Sequence, residues 1–380
     1  MSATRTYLDW NASAPLREEA RSAVLAALDV IGNPSSPHTE GRRARAIVED
    51  AREEVAALVG AEPADVVFTS GGTEANNAVL ARGWSAIGLA GIEHDSVRAP
   101  ARGSGARLIE LPVDADGVID AAAAGAALGA GTDDLRGPRA LVTLQMANNE
   151  TGVVQPVAEA AAVARARGLA VHTDAVQAAG RVAVDFRALG VDFLSLSAHK
   201  LGGPKGAGAL VIRAGAALPA LLTGGGQERR RRAGTENVPA IAGFGAAARA
   251  AARDVAGMQR LRALRDRLEA QVRAITPQAQ VIAAGAARLP NTASIALPGA
   301  SAETLVIALD LAGVAVSAGA ACSSGKVGAS HVLEAMSVEP ALARAAIRVS
   351  LGWGSGDADV AAFLEAWSRV AARRPQRAVA

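Results

Sequence analysis

"AAAVARARGLAVHTDAVQ", residues 160–177, reads as a helix, a stop and a strand. Alanine and arginine carry the helical stretch, and Gly168 ends it. The apolar run Leu169–Val171 then starts a strand that finishes on a carboxylate, Asp174. Working outward, the same grammar recurs. "DVVFTSGGTEANNAVL" (65–80) predicts a strand, a Gly-Gly turn and a helix start, and "ALVTLQMANNETG" (140–152) predicts a buried strand ending in polar residues. "VDFLSLSAHKLGGPKGAGALVIR" (191–213) predicts two short strands around a glycine-rich turn. "LREEARSAVLAALDVI" (16–31) and residues 39–60 carry helical periodicity. Strands alternating with helices predict an α/β fold with a mostly parallel central sheet covered by helices. A long charged helix from about residue 255, shorter strands and a final helix near 357–373 predict a second, smaller α+β unit.

Composition bounds the function. Half of the 380 residues are hydrophobic, 20% are charged and the formal net charge is +2, as in a globular protein with a large core. The charge balance gives no push toward nucleic acid, and aromatics at 3% are too few for a base-stacking surface. No apolar run approaches a membrane span and "MSATRTYLDWNASAP" lacks a signal core, so the expected location is the cytoplasm. Cys322 is the one cysteine, which excludes an intrachain disulfide and a cysteine metal cage, and the histidines lack metal-ligand spacing. Of 39 basic residues only Lys200, Lys205 and Lys326 are lysines. A lysine kept against such a bias suits an amine that must deprotonate and attack a carbonyl, which arginine cannot do.

Polar clusters stand at the predicted carboxyl ends of strands, where open α/β sheets bind ligands. Lys200 in "SAHK" and Asp174 in "HTD" are 26 residues apart, each at a strand end. Pyridoxal phosphate needs such a pair, a lysine for its aldehyde and an acid for its ring nitrogen. Taken alone, Lys200 also reads as a surface lysine in a turn, and Asp174 as a helix N-cap for "AVQAAG". "TSGGTEANN" offers backbone N–H groups, the Thr73 hydroxyl and a helix N-terminus to a phosphate. His94 in "IEHDSV" is a planar group that could cover a ring and shuttle protons, or an ordinary loop histidine. "GGGQERRRRAGTENV" (224–238) reads as a solvated basic loop, or as an interface loop bringing Thr235 to an anion.

Together these stretches resemble the cysteine desulfurases, a pyridoxal-phosphate-dependent, fold-type-I family of the class V aminotransferase group. The resemblance runs through "YLDWNASAP", "GNPSSPHTEGRRAR", "VVFTSGGTEANN", "EHDSV", "NNETGVVQP", "HTDAVQAAG", "LSLSAHKLGGPKGAGAL", "RAGTENV", "SAGAACSSG", "SHVLEAM" and "IRVSLG". It implies a large domain (14–254) with a seven-stranded sheet, and a small domain (1–13 and 255–380) carrying a mobile cysteine loop near 317–328. It implies that Lys200 carries the cofactor aldehyde, Asp174 pairs with the ring nitrogen, Gln177 bonds the ring oxygen and His94 stacks on the ring and moves protons. Gly72, Thr73, Ser197 and His199 hold the phosphate, with Thr235 supplied by the second subunit of a homodimer. Asn149 lies beside the ring and the substrate carboxylate, Arg348 clamps that carboxylate, and Cys322 is the nucleophile. The implied activity converts L-cysteine to L-alanine and passes sulfur, as a persulfide on Cys322, to an acceptor protein such as an iron–sulfur scaffold. No membrane or nucleic-acid partner is expected. Trp10 for a more usual tyrosine and the "AGAACSSG" wording depart from the family pattern. A selenocysteine lyase, another class V aminotransferase and a non-catalytic scaffold are the alternatives.

Overall fold

The computed structural model describes residues 5–81, 83–132, 140–319 and 330–372. Strand β1 (Thr6–Tyr7) opens the chain. Seven strands then build the larger sheet: β2 (Val66–Thr69), β3 (Ala86–Ala90), β4 (Arg107–Leu111), β5 (Ala140–Thr143), β6 (Ala170–Asp174), β7 (Phe193–Ser197) and β8 (Gly208–Ile212). Their order is β2-β8-β7-β6-β5-β3-β4. Only β8 runs antiparallel to its neighbours. The sheet is thus the mostly parallel seven-stranded one expected. Strands β2, β3, β7 and β8 are buried along their whole length. Such strands read as continuous apolar runs because helices cover both faces. The helices Asp95–Gly103, Ala121–Thr132 and Val157–Arg165 supply the crossovers from β3 to β4, β4 to β5 and β5 to β6.

Parallel pairing has one consequence for function. The carboxyl ends of β3, β5, β6 and β7 all reach the same edge, so residues scattered between 90 and 200 converge there. The antiparallel return of β8 places Gly208 beside the turn after β2. A Cβ at Gly208 would sit 2.6 Å from the Gly71 backbone, so only glycine permits this approach.

A second, antiparallel sheet has the order β12-β13-β10-β9, from β9 (Gln280–Val281), β10 (Thr292–Ala296), β12 (Ser317–Ala318) and β13 (Ala346–Ser350). Between them, β11 (Val314–Ala315) pairs in parallel with β1. Leu8, Leu261, Leu268, Ile295, Leu309, Ile347, Phe363 and Trp367 form its core. Ser317 and Ala318, expected at the start of a loop, are therefore strand residues.

The helices Glu18–Leu28 and Thr39–Leu58 pack on Val238–Asp254. A Cβ at Gly245 would meet the Ala51 Cα at 2.6 Å. Alanine and glycine at these crossings let the backbones close up, so a core with few aromatics still fills space.

Candidate active site

One cavity of about 320 Å³ lies at the carboxyl edge of the larger sheet. Its wall includes Lys200, Asp174, His94, Asn149, Gln177 and Arg348. Gly72, Thr73, Ser197 and His199 line it as well. Ten of the residues singled out by sequence thus meet in one space. Thr235 does not join them. It lines a separate cavity with Phe68, Ser70 and Glu228 in the same chain. Cys322 and Lys326 lie outside the described residues.

Lys200 ends a single 3-10 turn, Ala198–Lys200, directly after β7. Its amine donates to the Asn11 carbonyl and, at 2.9 Å, to that of Ala12. Asp174 ends β6 and is 8% exposed. Its Oδ1 accepts from Val176 N at 2.9 Å, and its Oδ2 from Asn76 Nδ2 at 2.8 Å. Turns follow it, and no helix. The capping that sequence allows is therefore a two-residue turn closure, which leaves the second oxygen directed at Asn76.

His94 is the N-cap of the helix Asp95–Gly103, and its Nδ1 accepts from Ser96 N at 3.0 Å. An Nδ1 used as acceptor leaves the proton of the neutral ring on Nε2. His199 is held near neutrality in another way. Burial first, then the charges of Lys200, Lys205 and Arg181, depress its pKa to about 4. A neutral His199 donates one hydrogen bond and adds no charge at physiological pH.

Arg348 comes from β13 of the second sheet and is 2% exposed. Its Nη2 pairs with Asp9 at 2.6 Å and its Nη1 donates to the Asn149 carbonyl at 3.1 Å. Asn11 fastens the two sheets where they meet. It donates to the Asn149 carbonyl and to Thr292 Oγ1, while Gln177 Nε2 donates to the Asn11 carbonyl.

Sequence reasoning passed over several residues that shape this wall. Asn76 follows Gly72 by one helical turn and so shares its face. That spacing was the available signal. Arg181 stands one turn of chain beyond Gln177 and donates to both its backbone and side-chain carbonyls. Glu150, the residue after Asn149, accepts from Ser330 Oγ at 2.6 Å. Burial raises Glu150 to about 7, against the opposing pull of Ser330, Arg348 and His94. Its other neighbour is Gly319, where a Cβ would come to 3.0 Å from Oε2.

An amine and a carboxylate at strand ends, a capped imidazole and a buried guanidinium thus meet in one cavity. The sequence profile of the family described as aminotransferase class-V fits residues 6–363. The chain belongs to this family. Within it, the chain groups with the cysteine desulfurases. It is 44% identical over 374 residues to the cysteine desulfurase of Cereibacter sphaeroides, covering 95% of this chain and 94% of that one. The NifS-like protein from Rickettsia africae has the same fold, with a TM-score of 0.88 at 32% identity over 97% of this chain and 99% of its own. SspA, solved in complex with cysteine, gives a TM-score of 0.75 at 29% identity over 91% of this chain and 98% of its own. The class V desulfurases are pyridoxal-phosphate enzymes. Among the described residues no helix is long and apolar enough to cross a membrane, and no cluster of histidine and acidic residues could hold a metal.

Proposed function

We propose that this chain binds pyridoxal phosphate in the 320 Å³ cavity, converts L-cysteine to L-alanine and carries the released sulfur as a persulfide on Cys322. The observation that carries this reading is the meeting of Lys200, Asp174, His94 and Arg348 from four separate elements in one cavity. The side chains fit the cofactor. The cavity holds an amine for the aldehyde and a carboxylate whose Oδ2 is steered by Asn76. It holds Thr73, Ser197 and neutral His199 near a helix N-terminus for the phosphate. Asn76 Oδ1 is buried without a hydrogen-bond partner among the described residues, as a polar wall awaiting a polar ligand would be.

When bound, the cofactor supplies an aldehyde for the substrate amine and an electron sink for charge developing at its Cα. Arg348 holds the substrate carboxylate with the charge that Asp9 orients. The Lys200 amine removes the Cα proton, and Lys200 or His94 Nε2–H returns one. The Cys322 thiolate attacks the substrate sulfur. The carbon–sulfur electron pair stays with carbon, which takes a proton and leaves as alanine. The new sulfur–sulfur bond leaves Cys322 oxidised to the persulfide, with no outside oxidant. The complex of SspA with cysteine supports cysteine as the substrate class.

The reading extends to a homodimer, because Thr235 lies apart from the cavity of its own chain and suits a phosphate in a second one. It also takes 14–254 as the cofactor-binding domain, 1–13 with 255–380 as the small domain, the cytoplasm as location and an iron–sulfur scaffold protein as sulfur acceptor. Purified protein should be yellow and, given L-cysteine and a reductant, should release alanine and sulfide in equal amounts. Cys322→Ala should keep the colour and lose sulfide release; full activity in that variant would sink the role of Cys322. A colourless protein that takes up no pyridoxal phosphate would sink the whole reading.

A further inference from the structure

Arg181 is 6% exposed, and no carboxylate pairs with it among the described residues. Its partners are the Gln177 carbonyl at 2.7 Å, the Gln177 side-chain oxygen and the Trp10 carbonyl at 3.4 Å. The other buried guanidinium groups nearby are compensated. Arg17 pairs with Asp254 at 2.6 Å, and Arg348 with Asp9 at 2.6 Å. A cation in a dry interior without a counter-charge is costly, and such groups are kept where an anion or a dipole needs them.

The hydrogen bond to Gln177 carries information. A guanidinium has donors only, so the Gln177 atom facing it must be the oxygen. The amide NH₂ is then forced the other way, toward the Asn11 carbonyl at 3.1 Å and the cavity that Gln177 lines. One of its two protons serves Asn11, which leaves the second to donate into the cavity. Without Arg181 the amide could flip and present an acceptor instead.

We infer that Arg181 is a positioning residue that fixes Gln177 as a hydrogen-bond donor into the cavity and adds positive potential behind it, so that an anionic ring oxygen is favoured there. The inference rests on the reading of the cavity as a pyridoxal phosphate site. Burial, and secondarily the charge of Arg348, depress Arg181 to about 9, as a cation lacking a counter-charge behaves. The charged and titratable groups facing the region are Lys200, His199 and Lys205 from the turn after β7, Asp174 from β6, His94 at the start of the helix Asp95–Gly103, Arg348 with Asp9, and Arg17 with Asp254. All are kept in the comparison below, so the difference isolates Arg181.

The test is a pH titration of the visible absorbance of the cofactor-loaded protein. Loss of the proton at the Lys200 linkage leaves more negative charge on the cofactor, and a cation and a donor beside the ring oxygen favour that loss. In Arg181→Met the midpoint should rise by about one pH unit. In Arg181→Lys, which keeps a donor and a charge, it should stay within a few tenths of the unsubstituted protein. An equal midpoint in Arg181→Met and the unsubstituted protein overturns the inference. So does an equal rise in both Arg181 variants. If Arg181→Met fails to fold, Gln177→Leu removes the donor while leaving the Gln177 backbone carbonyl for Arg181. Its midpoint should also rise, and an unchanged one overturns the inference. An unsubstituted protein with no visible band fails the cofactor reading itself, which keeps the two failures distinct.

Discussion

Ser317 lies directly opposite Arg348 in the antiparallel pairing of β12 with β13. Arg348 lines the cavity, and Cys322 follows Ser317 by five residues. An extended chain covers ~3.5 Å per residue, so five residues span about 17 Å at most. The proposed nucleophile is thus tethered within reach of the residue proposed to hold the substrate carboxylate.

Arg348→Ala should lower kcat/KM for L-cysteine by about 100-fold, since charge-assisted hydrogen bonds to a carboxylate contribute about 3 kcal/mol. The loss should fall mainly on KM. Asp9 would be left without its partner, so Asp9→Asn/Arg348→Ala serves as the control for that charge. A KM within twofold of the unsubstituted value in both would remove Arg348 from the substrate site.

Gly72 is the first residue of its helix, and a Cβ there would stand 2.8 Å from a Val176 methyl. Gly72→Ala should therefore weaken cofactor binding at least about 10-fold, because one of the two neighbours must move. Gly72→Ala/Val176→Ala should regain most of the affinity. Cofactor titration followed by absorbance reads both. Tight binding by the single variant would show that the turn yields freely.

Glu150 sets a pH dependence of known sign. Its folded pKa of about 7 lies above the ordinary carboxylate value, so its contribution to stability is complete below pH ~4.5 and is lost as pH rises through 7. The loss amounts to about 3 kcal/mol. Glu150→Gln does not ionise. Its melting temperature relative to the unsubstituted protein should climb between pH 5 and pH 8. A constant difference across that range would mean that Glu150 ionises as it does in water.

Glu228 anchors a costly backbone. Glu228, Arg229 and Arg230 have φ values of 45°, 55° and 64°, three successive non-glycine residues in the left-handed region. The Glu228 carboxylate holds Arg52 with two hydrogen bonds of 2.8 Å and accepts from Phe68 N, all buried. Glu228→Ala should cost about 3 kcal/mol by urea unfolding, since it removes both buried hydrogen bonds from Arg52 and the acceptor of Phe68 N, leaving Arg52 one ion pair, with half-exposed Glu49. It should also loosen cofactor binding if the loop presents Thr235 to a second subunit. A cost below about 1 kcal/mol would mean that the left-handed run is held by something else.

Much of this site could be read from sequence because its chemistry sits at local signals. Asp174 and Ser197 close apolar runs, and Gly72 and Lys200 border glycine turns, so strand ends and polar termini coincide in the chain. The parallel sheet then gathers them. Asn11 and Glu150 were not legible as site residues, because their roles depend on partners far away in sequence. Asn11 meets Thr292, and Glu150 meets Ser330. Nothing local distinguishes an arginine lying behind a glutamine from the other arginines of an arginine-rich chain. The strand state of the first residues of the expected loop is hidden from sequence for a related reason. Ser317 and Ala318 are small residues whose strand state is set by β13 across from them.

The Glu150 carboxylate faces both residues that flank 320–329: its Oε2 accepts from Ser330 Oγ, and a Cβ at Gly319 would come to 3.0 Å from the same oxygen. One oxygen thus borders both flanks of that span. A side chain at residue 319 and the hydroxyl of Ser330 would therefore compete for the same oxygen, so a substitution on one flank of the cysteine-bearing span is felt on the other.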